Sequence, residues 1–166
     1  AAFKKLQKPA FTANKVKLKA NQKTDFKYEA FNQSEIRFNA ANKDLKLVFS
    51  NDVKDSLMLY YNSQSKTFSI DRRKSGKVAS EKNFGKDIHK SNVSALVTDK
   101  IDFQIILDWS SIELFFNDGL YSFTEQIFPQ KPYTQLSILS TEDQELNDFT
   151  ISSISSIWPK KIAKNE

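Results

Sequence analysis

The chain has 166 residues, of which 39% are hydrophobic, 13% aromatic and 27% charged, so it is long and apolar enough to fold around one core rather than remain disordered. It contains no cysteine, which excludes disulfides and thiolate metal sites. The net charge of +5 comes mostly from scattered lysines, with only three arginines, and because nucleic-acid readers favour clustered arginine we predict no nucleic-acid partner.

Strands are predicted along nearly the whole chain, because apolar residues recur with period two. In the first half the alternating segments are 16–18, 26–28, 36–38, 45–49, 57–61 and 68–70. In the second half they are 101–107, 112–116, 121–123, 136–138 and 149–151. No window longer than about ten residues keeps the spacing of a helix, and no apolar run approaches the about 20 residues of a membrane span. We therefore predict neither a helix nor a membrane span.

Turn-forming residues separate the strands, and all three glycines, Gly76, Gly85 and Gly119, fall in predicted loops. About a dozen short strands without helical crossovers indicate two packed antiparallel sheets. The predicted fold class is all-β, a two-sheet antiparallel β-sandwich of the concanavalin-like or lectin-like jelly-roll type. We expect residues 1–166 to form one domain, with 1–24 as a peripheral strand or lead-in segment. Residues 75–94 are expected to form a loop that includes a short strand or helical turn.

The sequence offers little for metal or cofactor chemistry. His89 is the only histidine, which excludes a multi-histidine metal site, and we expect it to be an exposed loop residue. The carboxylates lack the spacing of a calcium loop, and the glycines form no phosphate-binding motif. We predict no metal and no cofactor.

Two segments stand out because each places charged residues at a strand–turn junction. In the first, 68–76, a strand ends in Asp71, Arg72 and Arg73 before a glycine turn. In the second, 105–129, three strands are joined by two tight turns. Both are places where a rigid sheet can present polar side chains.

The first turn of the second segment permits a carboxylate pair. If Trp109 and Ser110 are its two central residues, Ile106 faces Glu113, and Asp108 then lies on the same face as Glu113. Such a pair could serve a retaining glycosidase. Alternatively, Asp108 accepts backbone N–H groups within its own turn and Glu113 simply occupies the less apolar face, which is the interpretation we favour.

The second segment resembles the signature of the C-terminal domain of glycoside hydrolase family 32, the invertases, levanases and inulinases. The matching positions there are Asp108, Ser110, Glu113, Phe115, Asn117, Gly119, Thr124, Phe128 and Pro129. The first segment is similar to an upstream element of the same domain at Asp71, Arg72, Ser75 and Gly76, and 151–159 is similar to its closing strand. Trp109 departs from the pattern, where a basic or small polar residue is usual.

The resemblance implies a function without catalysis. The family's nucleophile and acid/base lie in motifs of an N-terminal five-bladed propeller, and none of those motifs occurs here. The chain is therefore expected to be an accessory domain that stabilises or assists a propeller catalytic domain of the same enzyme, with no activity alone.

The alternative is a fructan-binding module similar to carbohydrate-binding module family 66, with a fructose-containing glycan as partner. The candidate carbohydrate-binding residues are Asp71, Arg72, Arg73, Asp108, Trp109 and Glu113. The resemblance also implies a secreted or periplasmic protein, with a cytoplasmic one still open. A free-standing enzyme would need the carboxylate pair in a cleft.

Overall fold

A computed structural model describes residues 3–76, 85–95 and 98–155 of the chain. Within them lie twelve β-strands and two short 3-10 helices, Phe3–Leu6 and Phe31–Gln33. The strands are β1 (Gln7–Leu18), β2 (Thr24–Lys27), β3 (Ser34–Ala41), β4 (Leu45–Ser50), β5 (Ser56–Asn62), β6 (Thr67–Lys74), β7 (His89–Asn92), β8 (Lys100–Leu107), β9 (Ser111–Phe116), β10 (Tyr121–Gln126), β11 (Gln135–Ser140) and β12 (Gln144–Ile154).

The strands form two six-stranded antiparallel sheets. Sheet I has the order β1-β12-β3-β8-β9-β10, and sheet II has the order β2-β11-β4-β5-β6-β7. The predicted all-β sandwich is confirmed, and the described residues contain no α-helix. Strand after strand carries the period-two pattern that the sequence displays, which turns one face of each sheet inward.

The core lies between the sheets and is rich in aromatic rings. On β4, for example, Leu45, Leu47 and Phe49 are almost fully buried, whereas the residues between them face outward. Phe68 of sheet II meets Phe116 of sheet I edge to face, with ring centroids 4.8 Å apart. Such contacts join the two sheets by burying apolar surface, the main stabilising contribution in a sandwich.

One end of the sandwich is closed by a segment that crosses from sheet I to sheet II. This crossing segment, residues 127–134, follows β10 and leads into β11. Its first backbone N–H, from Ile127, donates to the Ser110 carbonyl at 3.0 Å, and its last, from Thr134, donates to the Ser50 carbonyl at 2.9 Å. We call this end of the molecule the hairpin end, since the β8–β9 turn also lies there.

The region after β6 is only partly a loop. The strand β7 lies inside the segment 75–94 and pairs with β6 through the register Ile70↔His89. The expectation that His89 is a loop residue is therefore wrong, because its backbone extends sheet II at its edge. The part of this segment at 77–84, and the residues from 156 to the C-terminus with the end of the predicted closing strand, lie outside the described residues.

Candidate functional site

The β8–β9 hairpin has the predicted register. Leu107 pairs with Ile112 and Ile106 with Glu113, which confirms a turn with two central residues, Trp109 and Ser110. The Asp108 backbone N–H donates to the Ser111 carbonyl at 2.9 Å.

The Asp108 carboxylate is used within its own turn. Its Oδ1 accepts the Trp109 backbone N–H at 2.7 Å. Glu113 lies on the outer face of sheet I, because its neighbours Ile112 and Leu114 are buried in the core. The Asp108 contact is the one expected for a carboxylate that stabilises its own turn.

Asp71 and Arg73 form a local ion pair on the outer face of sheet II. Arg73 donates from Nε to Oδ1 at 2.9 Å and from Nη2 to Oδ2 at 2.7 Å, and its backbone N–H adds a third bond at 3.1 Å. These bonds, with the side-chain bond from Arg73 as the largest cause, lower the pKa of the Asp71 carboxyl below its ordinary value. Both residues belong to one strand, so the pair joins no separate elements.

Arg72 points the other way, between the sheets. It is buried, its Nη1 donates to the Gln126 carbonyl at 2.9 Å, and its Nε lies 3.3 Å from Oε2 of Glu125. The Nδ1 of His89 contacts the other oxygen of the same carboxylate. We call Arg72, Glu125 and His89 the edge cluster, because it connects β6 and β7 of sheet II to β10 of sheet I where the sandwich would otherwise be open.

Sequence reasoning missed Glu125, although a signal was present. On β10, Glu125 occupies the same side of the strand as Tyr121 and Phe123, which pack against the core. A carboxylate at an inward position of an alternating strand requires a partner of opposite charge. The chain has only three arginines that could supply a guanidinium to pair with this carboxylate.

The six candidate carbohydrate-binding residues do not come together. Asp71 and Arg73 lie on the outer face of sheet II and Glu113 on that of sheet I, on opposite sides of the molecule. Arg72 is inside and engaged by Glu125.

Asp108 and Trp109 belong to the turn at the hairpin end. The two segments 68–76 and 105–129, which the sequence suggested as parts of one polar site, thus belong to different sheets.

Of the five large apolar side chains that are exposed in the described residues, three lie at the hairpin end, whereas Phe11 and Leu120 lie elsewhere. Val53, Trp109 and Phe128 are 37%, 53% and 41% exposed, and we call them the end patch. Their loops are directly linked, since the Asn51 side chain donates to the Lys131 carbonyl at 2.8 Å and the crossing segment is bonded to Ser110.

A groove of about 520 Å³ lies on the outer face of sheet II. It crosses β4, β5, β6 and β7 and includes the side chains of Lys46, Tyr60, Ser69, Asp71 and Lys90. It is far from Glu113 and is separated from the edge cluster by the sheet itself. Of the six candidate residues, only Asp71 borders it.

Neither a metal centre nor a membrane span is found in the described parts of the chain. No group of three or more histidine or acidic side chains there is placed to hold a metal ion. No helix among those residues has the length and apolar character to cross a bilayer.

These features define a class of protein, an all-β sandwich in which the carboxylates of Asp71, Asp108 and Glu125 stabilise a turn or form ion pairs. Residues 2–153 match the family model described as glycosyl hydrolases family 32 C terminal, and the chain belongs to that family. The family predicted from the 71–76 and 108–129 segments is confirmed.

The individual relatives are much longer proteins. The chain is 30% identical over 101 residues to a fructan beta-fructosidase of Streptococcus mutans serotype c, a match that covers 61% of the chain and 7% of that protein.

Solved structures share the fold. An exo-inulinase from Aspergillus awamori superposes with a TM-score of 0.73 at 19% identity, over 95% of the chain and 32% of the enzyme. A sucrose-6-phosphate hydrolase from Lactobacillus gasseri superposes with a TM-score of 0.65 at 24% identity, over 95% and 30%. A fructan 1-exohydrolase IIa from Cichorium intybus gives 0.72 at 12% identity, over 93% and 37%. The chain thus spans about a third of each of these enzymes.

Proposed function

We propose that the chain is the non-catalytic C-terminal accessory domain of a fructan- or sucrose-cleaving glycosidase, and that it stabilises a propeller catalytic domain by docking through the end patch. The family match supports the accessory role, because the chain corresponds to about a third of enzymes such as the exo-inulinase. The observation that carries the docking surface is that three of the five exposed large apolar side chains in the described residues lie at one end of the sandwich.

The position of the chain's first strand supports the same end. The Ser155 backbone N–H donates to the Leu6 carbonyl at 2.8 Å, and β1 begins beside the end of β12 at the level of Leu107 in sheet I. A domain that precedes residue 3 would therefore join at the hairpin end. Exposed apolar patches commonly mark surfaces that are covered in an assembly, and each large side chain contributes about 1.5–3 kcal/mol when fully buried.

The described carboxylates support the lack of catalysis. Asp71 is bound by Arg73, Asp108 accepts a backbone N–H of its own turn and Glu125 is bound by Arg72, so each of these three has a local structural partner. A retaining glycosidase needs two carboxyl groups about 5 Å apart on either side of the scissile bond. We expect the purified chain to release no sugar from sucrose, inulin or levan above a heat-killed control.

The docking is tested in the complete polypeptide that the gene encodes. Replacing Trp109 and Phe128 with serine is expected to lower the melting temperature of the catalytic domain by several degrees, because two apolar side chains leave the domain boundary. Leu120→Ser is the matched control, since Leu120 is 61% exposed in the β9–β10 turn at the opposite end.

Equal effects of the two changes would refute the docking surface. A complete gene product without any catalytic domain, and with no affinity for one, would refute the accessory role.

The fructan-binding alternative stays a prediction, since no observation of the structure tests sugar binding and its six residues are divided between the two outer faces, the interior and the hairpin end. Secretion or a periplasmic location likewise stays an expectation drawn from the resemblance. Calorimetric titration of the chain with fructose tests the binding of a terminal sugar.

A further inference from the structure

The floor of the groove on sheet II is a row of four residues in register. Lys46 pairs with Tyr60, Tyr60 with Ser69, and Ser69 with Lys90, on the adjacent strands β4, β5, β6 and β7. Lys46, Tyr60 and Ser69 alternate with core residues and therefore point to the outer face. Lys90, on the mostly exposed edge strand β7, lines the same groove. Because neighbouring strands are about 4.8 Å apart, the row is about 14 Å long between the two lysine Cα positions.

Hydrogen bonds to its hydroxyl group hold Tyr60 in place. Its hydroxyl donates to Oδ2 of Asp44 at 2.8 Å, and Asp44 in turn accepts the backbone N–H and the hydroxyl of Ser63 at 2.8 and 2.7 Å. The Asn62 side chain donates to the Tyr60 hydroxyl at 3.2 Å. The half-buried ring is thus fixed without a ligand, and a preorganised aromatic face binds at a lower entropic cost than a mobile one.

The rest of the lining mixes donors and acceptors. No described acidic group forms an ion pair with Lys46 or Lys90, so both ammonium groups are available as donors. The Asp71 carboxylate is oriented by Arg73 and keeps acceptor capacity, and Ser69 adds a hydroxyl.

We propose that this groove binds an extended polysaccharide chain, which lies across the four strands over Tyr60 and donates and accepts hydrogen bonds at hydroxyl groups along the row. An aromatic face between polar groups of both kinds matches a sugar ring, which has apolar faces and hydroxyl edges. The row is longer than one sugar ring, so the groove recognises several consecutive units rather than a single terminal sugar. This site is on a different surface from the end patch, and its existence does not depend on the proposed docking.

The test is calorimetric titration of the isolated chain with four polymers, inulin, levan, xylan and polygalacturonate, and with fructose. We expect saturable binding of at least one neutral polymer, at least tenfold tighter per binding site than fructose. Tyr60→Leu, which keeps a β-compatible apolar side chain, should weaken that binding at least tenfold.

A second variant guards against an effect of Tyr60 on folding. Lys46→Gln combined with Lys90→Gln changes only surface groups and should weaken the same binding severalfold at an unchanged melting temperature. The matched control is Lys8→Gln with Lys100→Gln, which removes two lysines from sheet I and should leave affinity unaltered.

Several results would overturn the proposal. They are no binding of any of the four polymers, equal affinity for fructose and polymer, or equal affinity of the row variants and the control. Binding of polygalacturonate alone, lost on addition of salt, would show attraction to charge and would also overturn it.

Discussion

Arg72 and Arg73 are neighbours in the sequence, yet they belong to different regions of the molecule. Arg72 lies between the sheets, where it binds Glu125 and the Gln126 carbonyl of another sheet. Arg73 lies outside and binds Asp71 two residues away on its own strand. The comparison teaches that on a strand two adjacent charges of the same kind have separate roles, because successive side chains point to opposite faces.

The energetic contrast follows from what each pair connects. The Arg72 and Glu125 side chains are 10% and 13% exposed, so each charge has lost most of its water and depends on the other. The side chains of Arg73 and Asp71 are 51% and 16% exposed, so the guanidinium keeps much of its water, and the pair is formed within one strand without joining separate strands. Replacing Arg72 should therefore lower the free energy of unfolding far more than replacing Arg73.

The largest expected effect concerns the turn that follows both arginines. A Cβ on Gly76 would lie 1.7 Å from the carbonyl oxygen of Phe128, and the residue has φ +130°. Gly76→Ala therefore combines backbone strain with an overlap against main-chain atoms that cannot rotate away. We expect a loss of about 3 kcal/mol or more in the free energy of unfolding, measured by urea denaturation.

Gly119→Ala separates the two contributions. Gly119 has φ +87°, but nothing lies within 4 Å of its ideal Cβ. Its substitution should cost about 1 kcal/mol through strain alone. Equal losses of unfolding free energy for the two glycine variants would contradict this prediction. They would mean that the crossing segment moves to accommodate the extra methyl group at residue 76.

The second prediction concerns the edge cluster. Arg72→Met leaves the Glu125 carboxylate largely buried without its guanidinium, and Glu125→Gln leaves the opposite charge. We expect each change to cost about 2–3 kcal/mol, and the double variant to cost less than the sum of the two single changes. Urea denaturation of all four proteins gives the coupling free energy.

The control for this cycle is the exposed pair Lys15–Glu145 on sheet I, whose side chains are 60% and 40% exposed. Lys15→Met should leave the unfolding midpoint nearly unchanged. Additive losses at Arg72 and Glu125 would contradict the edge cluster as a unit. If the chain binds fructose, unchanged affinity in Arg72→Met would confirm that this arginine is structural.

Most of the fold could be predicted from the sequence because period-two patterning is a local property. The pairs Leu107–Ile112 and Ile106–Glu113 followed from a two-residue turn, which fixes the register of a hairpin by itself. The short strand β7 was harder to locate, since its residues are mostly exposed and none is strongly apolar. Its partner β6, and not its own composition, makes it a strand.

The site could be predicted only in part, because it depends on which strands share a sheet. The segment 68–76 contributes β6 to sheet II, and the segment 105–129 contributes β8 and β9 to sheet I. The outward-facing charges of the two segments therefore lie on opposite faces of the molecule. The groove row of Lys46, Tyr60, Ser69 and Lys90 comes from four strands and has no contiguous motif. The sequence alone does not contain the order of strands that assembles it.

The smallest expected effect concerns the outer arginine, and it has a pH dependence with a defined sign. Bonds from Arg73 lower the pKa of Asp71 in the folded state below its unfolded value of 3.8, so the pair stabilises the fold above that pH and ceases to do so as the pH falls and the carboxyl is protonated. Because Arg73 is half exposed and the pair lies within one strand, Arg73→Ala should lower the melting temperature at pH 7 much less than Arg72→Met does. The NMR titration of the Asp71 carboxyl is the sensitive measurement, and its pKa should rise toward the ordinary value in the variant. Lys74→Ala is the control, since Lys74 acts on Asp71 only through its charge and should raise that pKa less. A melting temperature that falls as far as in Arg72→Met would erase the contrast between the two arginines and assign the outer face a structural role.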